Sequence, residues 1–265
     1  MSQPPEVLIH KDYFNDHLVE IRDSGDYRTL YYPTGIVQSR ISLSNPHRLV
    51  LRYTQYMLLA LLIQPKPEHI LIIGIGSGSF VRFFHHHFPR CHIDAVDYSK
   101  HIINMARGYF QLPENSKIIV HCDDGYRFLK NYSDAPYDII LIDAFDDQGM
   151  APTIYSDQFF RLCADNLSQN GVVSCNIWSN DKTQLQQIKT LLAAHFADQL
   201  FLAVPDRGNR VVLSLPGRVP WPDICLKKKD LKQLSRQFDL NFKEIVRVTR
   251  QNNMTFAKRI ASLMS

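Results

Sequence analysis

From residue 69 onward, apolar and polar positions follow two alternating rhythms. Short apolar runs, "HILIIG", "HIDAVD", "KIIVHC", "YDIILIDAF" and "NGVVSCNIW", begin at residues 69, 92, 117, 137 and 170. Runs of that length predict strands covered on both faces. Between them lie helical patterns, "SFVRFFHHHF", "SKHIINMARGYF", "DGYRFLKNY" and "YSDQFFRLCADNL", with "DKTQLQQIKTLLAAHF" after the last strand. Ser99 is placed to cap its helix, and Asn170-Gly171 reads as a turn before its strand. "QLFLAV" and "NRVVLSL" close the series with no helix between them, so they are expected to pair antiparallel. The alternation predicts an α/β fold with a doubly wound, mostly parallel, seven-stranded sheet.

The front of the chain follows a different pattern. "LVEIRD", "YRTLYY" and "IVQSRI" alternate and are separated by "SGD" and "PTG", which predicts a small antiparallel meander. "NPHRLVLRYTQYMLLALLIQP" then predicts a helix with Asn45 as its cap and Pro46 in its first turn, stopped near Pro65. The expected division is a β meander over residues 1–45, an α/β domain over 46–216, and a basic, helical extension over 217–265.

Composition narrows the class. The 265 residues carry a net charge of +4. From Gly217 to Ser265 there are eleven Lys/Arg and four Asp/Glu, a local balance of +7 that leaves −3 for the rest. The basic stretch reads as a solvated helical face, Lys227, Lys228 and Lys229 included, and nucleic-acid binding is not expected. The five cysteines form no CxxC pair and read as reduced thiols. No membrane span or signal peptide is expected, which places the protein in the cytoplasm.

Candidate chemistry gathers where the strands end. "GIGSGS" after the first strand of the sheet contains Gly74, Gly76 and Gly78 in GxGxG spacing, not the GxGxxG of dinucleotide sites. Asp97 ends the next strand, 21 positions after Gly76. Its carboxylate is suited to the two hydroxyls of a ribose, or to capping a helix beside Ser99. Asp124 before Gly125 is suited to an adenine amino group, or again to a helix cap. No lysine follows the glycines, so a triphosphate is not favoured and an adenosyl sulfonium is. "LIDAFDDQGMAP" places Asp143, Asp146 and Asp147 within five residues. Such crowding suits a cation in the site, though a solvated turn would also accept it. With no histidine nearby, an organic cation fits better than a metal, and no metal is expected. His85, His86 and His87 run consecutively on a helix and therefore splay apart, a poor metal cluster. Trp178 either roofs the pocket or joins the core.

Together, the glycine run, Asp97, "DDG", "DAFDD" and the front meander ending in "GIVQS" resemble the spermidine synthase family, the polyamine aminopropyltransferases, and more closely its divergent bacterial spermidine synthase-like branch. The resemblance covers roughly residues 18 to 215 and implies the Rossmann-like fold of class I S-adenosylmethionine-dependent methyltransferases. It implies that Gly74 and Gly76 shape the nucleoside loop, that Gln38 reaches the nucleoside, that Asp97 holds the ribose, and that Asp124 and Gly125 hold the adenine. Asp143 falls on the catalytic aspartate and Asp146 on the second acidic position of its D-x-x-D pattern. Tyr53 and Asp147 would face the amine substrate. Polyamine synthases read GGGDGG at the glycine loop, and their Asp helps to bind the aminopropyl ammonium. Here Ser77 takes that position, and Gln55 stands where the family keeps a Glu. The expected function is aminopropyl transfer from decarboxylated S-adenosylmethionine to a small amine, as in polyamine biosynthesis. A methyltransferase using intact S-adenosylmethionine, or a non-catalytic nucleoside-binding protein, is the alternative. A homodimer is one open assembly state.

Overall fold

The computed structural model describes residues 4–14, 17–31, 37–146, 149–150, 153–178, 182–205 and 208–254. Four antiparallel strands open it: β1 (Val7–Phe14), β2 (His17–Ser24), β3 (Tyr27–Tyr31) and β4 (Val37–Ser42), paired in that order. The meander expected from sequence thus gains a strand. β1 escaped notice because its apolar residues Val7, Leu8 and Ile9 lie exposed on a sheet edge, so no buried face imposes an alternating pattern. Val19, Ile21, Leu30 and Ile41 of this small sheet form a separate core with Ile102, Met105 and Phe110.

The helix expected from Asn45 begins later. α1 (Arg52–Met57) and α2 (Ala60–Ile63) are separated by a turn, and Leu51 rather than Asn45 stands at the start of α1. Pro46 belongs to the preceding loop, where its carbonyl accepts from Arg82 Nε at 2.8 Å. That tertiary bond holds the segment out of the helix.

The remaining elements alternate as expected: β5 (His69–Ile73), α3 (Ser79–His87), β6 (His92–Asp97), α4 (Lys100–Tyr109), β7 (Ile118–Cys122), α5 (Gly125–Asn131) and β8 (Tyr137–Ile142). A two-residue pair, β9 (Phe145–Asp146) and β10 (Gly149–Met150), lies in the acidic loop. Then come α6 (Asp157–Asp165), β11 (Leu167–Trp178), α7 (Lys182–His195), β12 (Asp198–Ala203) and β13 (Asn209–Leu215). Asn170-Gly171 is not a turn. It lies within β11, at a register irregularity between Leu167 and Val172.

The large sheet has the order β12-β13-β11-β8-β5-β6-β7, with β13 antiparallel to both its neighbours and the other described pairings parallel. β5 shows why the run reads as continuously apolar. Ile70 and Ile72 enter the core shared with α1, α2 and α3, while Leu71 and Ile73 enter the core shared with α6 and α7. α8 (Trp221–Ile224), α9 (Lys228–Phe238) and α10 (Phe242–Asn253) follow. Leu231, Phe238, Phe242 and Ile245 bury into the α3 side, so the basic stretch is amphipathic and not wholly solvated. Glu244 of α10 pairs with Arg52 and accepts from Tyr56 OH at 3.0 Å, clamping α1. Among the described residues no helix is long and apolar enough to cross a membrane.

Candidate active site

Strand order reverses between β8 and β6 about β5, and a cavity of about 560 Å³ opens beyond the strands' carboxyl ends. That is the usual ligand position in doubly wound sheets, and the volume lies within the roughly 300–1,000 Å³ range of small-molecule sites.

β5 delivers its glycines to the cavity floor. Gly74 has φ +90°, and a Cβ there would lie 2.2 Å from the Asp143 carbonyl oxygen. Only glycine lets the two strand ends approach so closely. Asp143 N–H donates to the Ile73 carbonyl at 2.8 Å, which fixes Asp143 beside the loop. Gly76, also left-handed at φ +52°, borders the cavity.

Asp97 is buried at the end of β6 and borders the cavity. Its Oδ2 accepts from Ile75 N–H at 2.9 Å and its Oδ1 from Ser99 N–H at 3.0 Å. Burial raises its pKa, and the N–H groups of Ser99, Ile75 and Gly76 oppose that shift. Asp97 therefore holds the glycine loop as well as facing the cavity. The cap of α4 belongs to Ser99, which accepts from Ile102 N–H at 3.1 Å. Asp124 does cap a helix, accepting from Arg127 N–H at 3.0 Å, and still borders the cavity beside Asp123 and Gly125. A Cβ on Gly125 would lie 2.7 Å from Ile73 Cγ2, so the α5 start packs tightly against β5. Gln38 lines the cavity from the front sheet, with Ser39 and Leu30.

Asp143 and Tyr53 meet across the cavity. Tyr53 OH donates to Asp143 Oδ2 at 2.9 Å, and Asn176 Nδ2 donates to Oδ1 at 2.8 Å. Asn176 is itself held, since its Oδ1 accepts from Asn209 at 3.1 Å and its carbonyl accepts from Tyr155 OH at 2.8 Å. Burial pushes the Asp143 carboxyl above the ordinary range, against the opposing pull of Asn176 and Tyr53. Tyr53 is raised well above its usual value, first by burial and then by the adjacent Asp143 charge. The carboxylate is thus oriented by one bond on each oxygen, which leaves lone pairs free to accept from a third group.

Sequence reasoning missed Asn176, Asn209, Tyr155, Ser39 and Asp123 as members of this site. Asn176 offered one signal: an amide beside Val172, Val173, Cys175 and Ile177 in a strand of a two-faced sheet, where a buried polar group needs a partner. Asp147 lies outside the described residues. Asp146 is described only through its pairing with Gly149 in the β9–β10 hairpin. Ser77 does not border the cavity. It is fully buried, its Oγ 2.5 Å from Ser39 Oγ and 3.5 Å from Arg82 Nη2. Gln55 also turns away, donating to the Leu49 carbonyl at 2.8 Å.

Four aspartates (97, 123, 124 and 143) line the described cavity, and no Lys, Arg or His does. A pocket of that charge at the switch point of a doubly wound sheet suits a cationic ligand. The Spermine/spermidine synthase domain model matches residues 52–207. The polyamine aminopropyltransferase of Chromobacterium violaceum is 33% identical over 243 residues, 90% of this chain and 92% of that protein. The chain therefore belongs to the spermine/spermidine synthase family. Its fold matches a spermidine synthase solved in complex with the transition state analogue AdoDATO, at TM-score 0.74 and 15% identity over 97% of this chain and 89% of that one. It also matches human methyltransferase-like protein 13 in complex with SAH, at TM-score 0.61 and 20% identity over 80% of this chain and 99% of that one. The fold is thus shared with a methyltransferase-like protein as well as with a spermidine synthase.

Proposed function

We propose that this protein transfers an aminopropyl group from decarboxylated S-adenosylmethionine to a small diamine or polyamine, releasing methylthioadenosine. The charge of the cavity carries this reading. Both substrates are cations, and every ionisable side chain on the described wall except Tyr53 and Tyr98 is an aspartate. The carboxylate of intact S-adenosylmethionine would meet like charges there and no cationic partner. A serine at position 77, where polyamine synthases keep an aspartate, would by itself favour the intact donor; the carboxylates elsewhere on the wall offer the charge that Ser77 lacks.

In this scheme Asp97 accepts from the ribose, and Asp124 with the start of α5 meets the adenine. The acceptor nitrogen donates to Asp143, which aims the nitrogen lone pair at the carbon beside the sulfonium. The C–N bond forms as the C–S bond breaks, and the C–S electron pair stays on sulfur and neutralises it. The nitrogen's proton passes to Asp143 and then to solvent. Orientation and charge stabilisation supply most of the acceleration.

Calorimetric titration with decarboxylated S-adenosylmethionine, S-adenosylmethionine and methylthioadenosine tests the proposal, paired with a methylthioadenosine-release assay using diamines. The decarboxylated donor is expected to bind at least about tenfold tighter than the intact one, as one close charge pair would produce. Equal or tighter binding of S-adenosylmethionine, with methyl transfer to an acceptor, would overturn it.

A further inference from the structure

Outside the cavity lining, tertiary packing gathers three histidines that the sequence holds far apart or splayed. His86 and His87 end α3, and His47 lies in the loop between β4 and α1. One ligand nitrogen from each ring can be chosen so that all three lie within 4.8 Å of one another. His47 stacks on His86 with centroids 3.5 Å apart and planes 9° from parallel. His87 stands edge-on to both, at 5.5 Å from His47 and 4.7 Å from His86.

The cluster is held from outside. The carbonyl of Pro46 is tied to α3 by Arg82 Nε at 2.8 Å. Arg48 Nε binds Asp239 Oδ2 at 2.8 Å, at the left-handed residue that ends α9. Both chain neighbours of His47 are therefore anchored. His87 rests on Phe83 and Phe238, with centroids at 4.5 Å and 5.2 Å. Among the described residues no ring nitrogen of the three has a hydrogen-bond partner.

We propose that His47, His86 and His87 form a binding site for one borderline divalent transition-metal ion of the Zn²⁺ type, with water completing a four-coordinate shell. Three neutral imidazoles are the donor set such ions favour over Mg²⁺ or Ca²⁺. Zn–N bonds of about 2.0–2.1 Å set tetrahedral N···N separations near 3.3 Å, so the rings must close slightly. The His47–His86 stack must also open, because an imidazole lone pair lies in its ring plane. His86 is exposed and has room to turn. The ion would join the loop leading to Tyr53 to the end of the helix that starts at the glycine loop, beside the Arg48–Asp239 pair that ties the same loop to the turn after α9. Its role is a clamp, and aminopropyl transfer does not depend on it.

Tag-free full-length protein, stripped with chelator, should take up one Zn²⁺ per chain at micromolar or lower dissociation constant. Co²⁺ should give the intense visible bands of a four-coordinate site, and Zn²⁺ should raise Tm. His47→Ala and His86→Ala should lose stoichiometric uptake and the metal-dependent Tm shift, while His85→Ala keeps both. His86→Ala is decisive if His47→Ala folds poorly, because His86 is exposed. Millimolar or absent Zn²⁺ binding to the wild type, or binding undiminished in folded His86→Ala, would overturn the proposal.

Discussion

Asp143→Asn separates the chemistry from the binding. The side chain keeps its shape, and Asn176 can still donate to one oxygen, now an amide oxygen. The other position becomes an NH₂ facing Tyr53 OH, so the Tyr53 bond reverses polarity instead of vanishing. Nucleoside affinity should therefore change by less than about 1 kcal/mol, the worth of one ordinary hydrogen bond. Turnover should fall about 10²–10⁴-fold, the usual worth of a positioned base. That is roughly 3–5 kcal/mol of barrier. The pH dependence carries an independent signature. Burial raises the Asp143 carboxyl, so the wild-type rate should rise as pH climbs through that elevated value, and the variant should lack this limb. The sign for stability is opposite. A carboxyl whose folded pKa is raised adds stability at low pH and loses it as pH rises through the folded value. Near neutral pH the amide should thus melt at the same temperature as the wild type or higher. The assay is single-turnover methylthioadenosine release across pH, with calorimetric Kd values and thermal melts on the same preparations. A variant within tenfold of the wild-type rate, or one that keeps the acidic limb, would refute the assignment of Asp143 as base.

Two further substitutions test the loop. Asp97→Ala should weaken methylthioadenosine binding by about 1–3 kcal/mol and also destabilise the fold, since Ile75 and Ser99 N–H groups lose their acceptor at about 1–3 kcal/mol each. Calorimetry and melting curves read the two effects separately, and an unchanged Kd or an unchanged Tm removes the corresponding role. Ser77→Asp places its carboxylate beside Arg82, a buried guanidinium with no carboxylate partner among the described residues, whose pKa burial lowers to about 9. The new charge should pair with Arg82 and move the ratio of the two donors' dissociation constants by less than about threefold, not the ten- to hundredfold of a cavity-facing charge. A tenfold shift would show that position 77 faces the ligand.

Local pattern was enough to reveal the alternating strands and helices, the Ser99 cap, the antiparallel final pair and the acidic loop, because each depends on residues within a few positions of one another. A strand buried on both faces must be apolar throughout, so β5 and β8 declared themselves. The glycines were legible too, since a left-handed backbone against Asp143 admits no other residue. What only the tertiary structure decided are contacts across long loops. Pro46 is drawn out of the helix it should start by a residue 36 positions away, and Ser77 is turned from the cavity by Ser39, 38 positions earlier. Asn176 reaches Asp143 across 33 positions and Tyr53 across 90. His47 joins His86 and His87 in the same way, through a loop with no apolar period to mark where it lands. Sequence periodicity records which face of an element is buried; it carries no record of which distant side chain waits there, and in this protein the orientation of the Asp143 carboxylate depends on such partners.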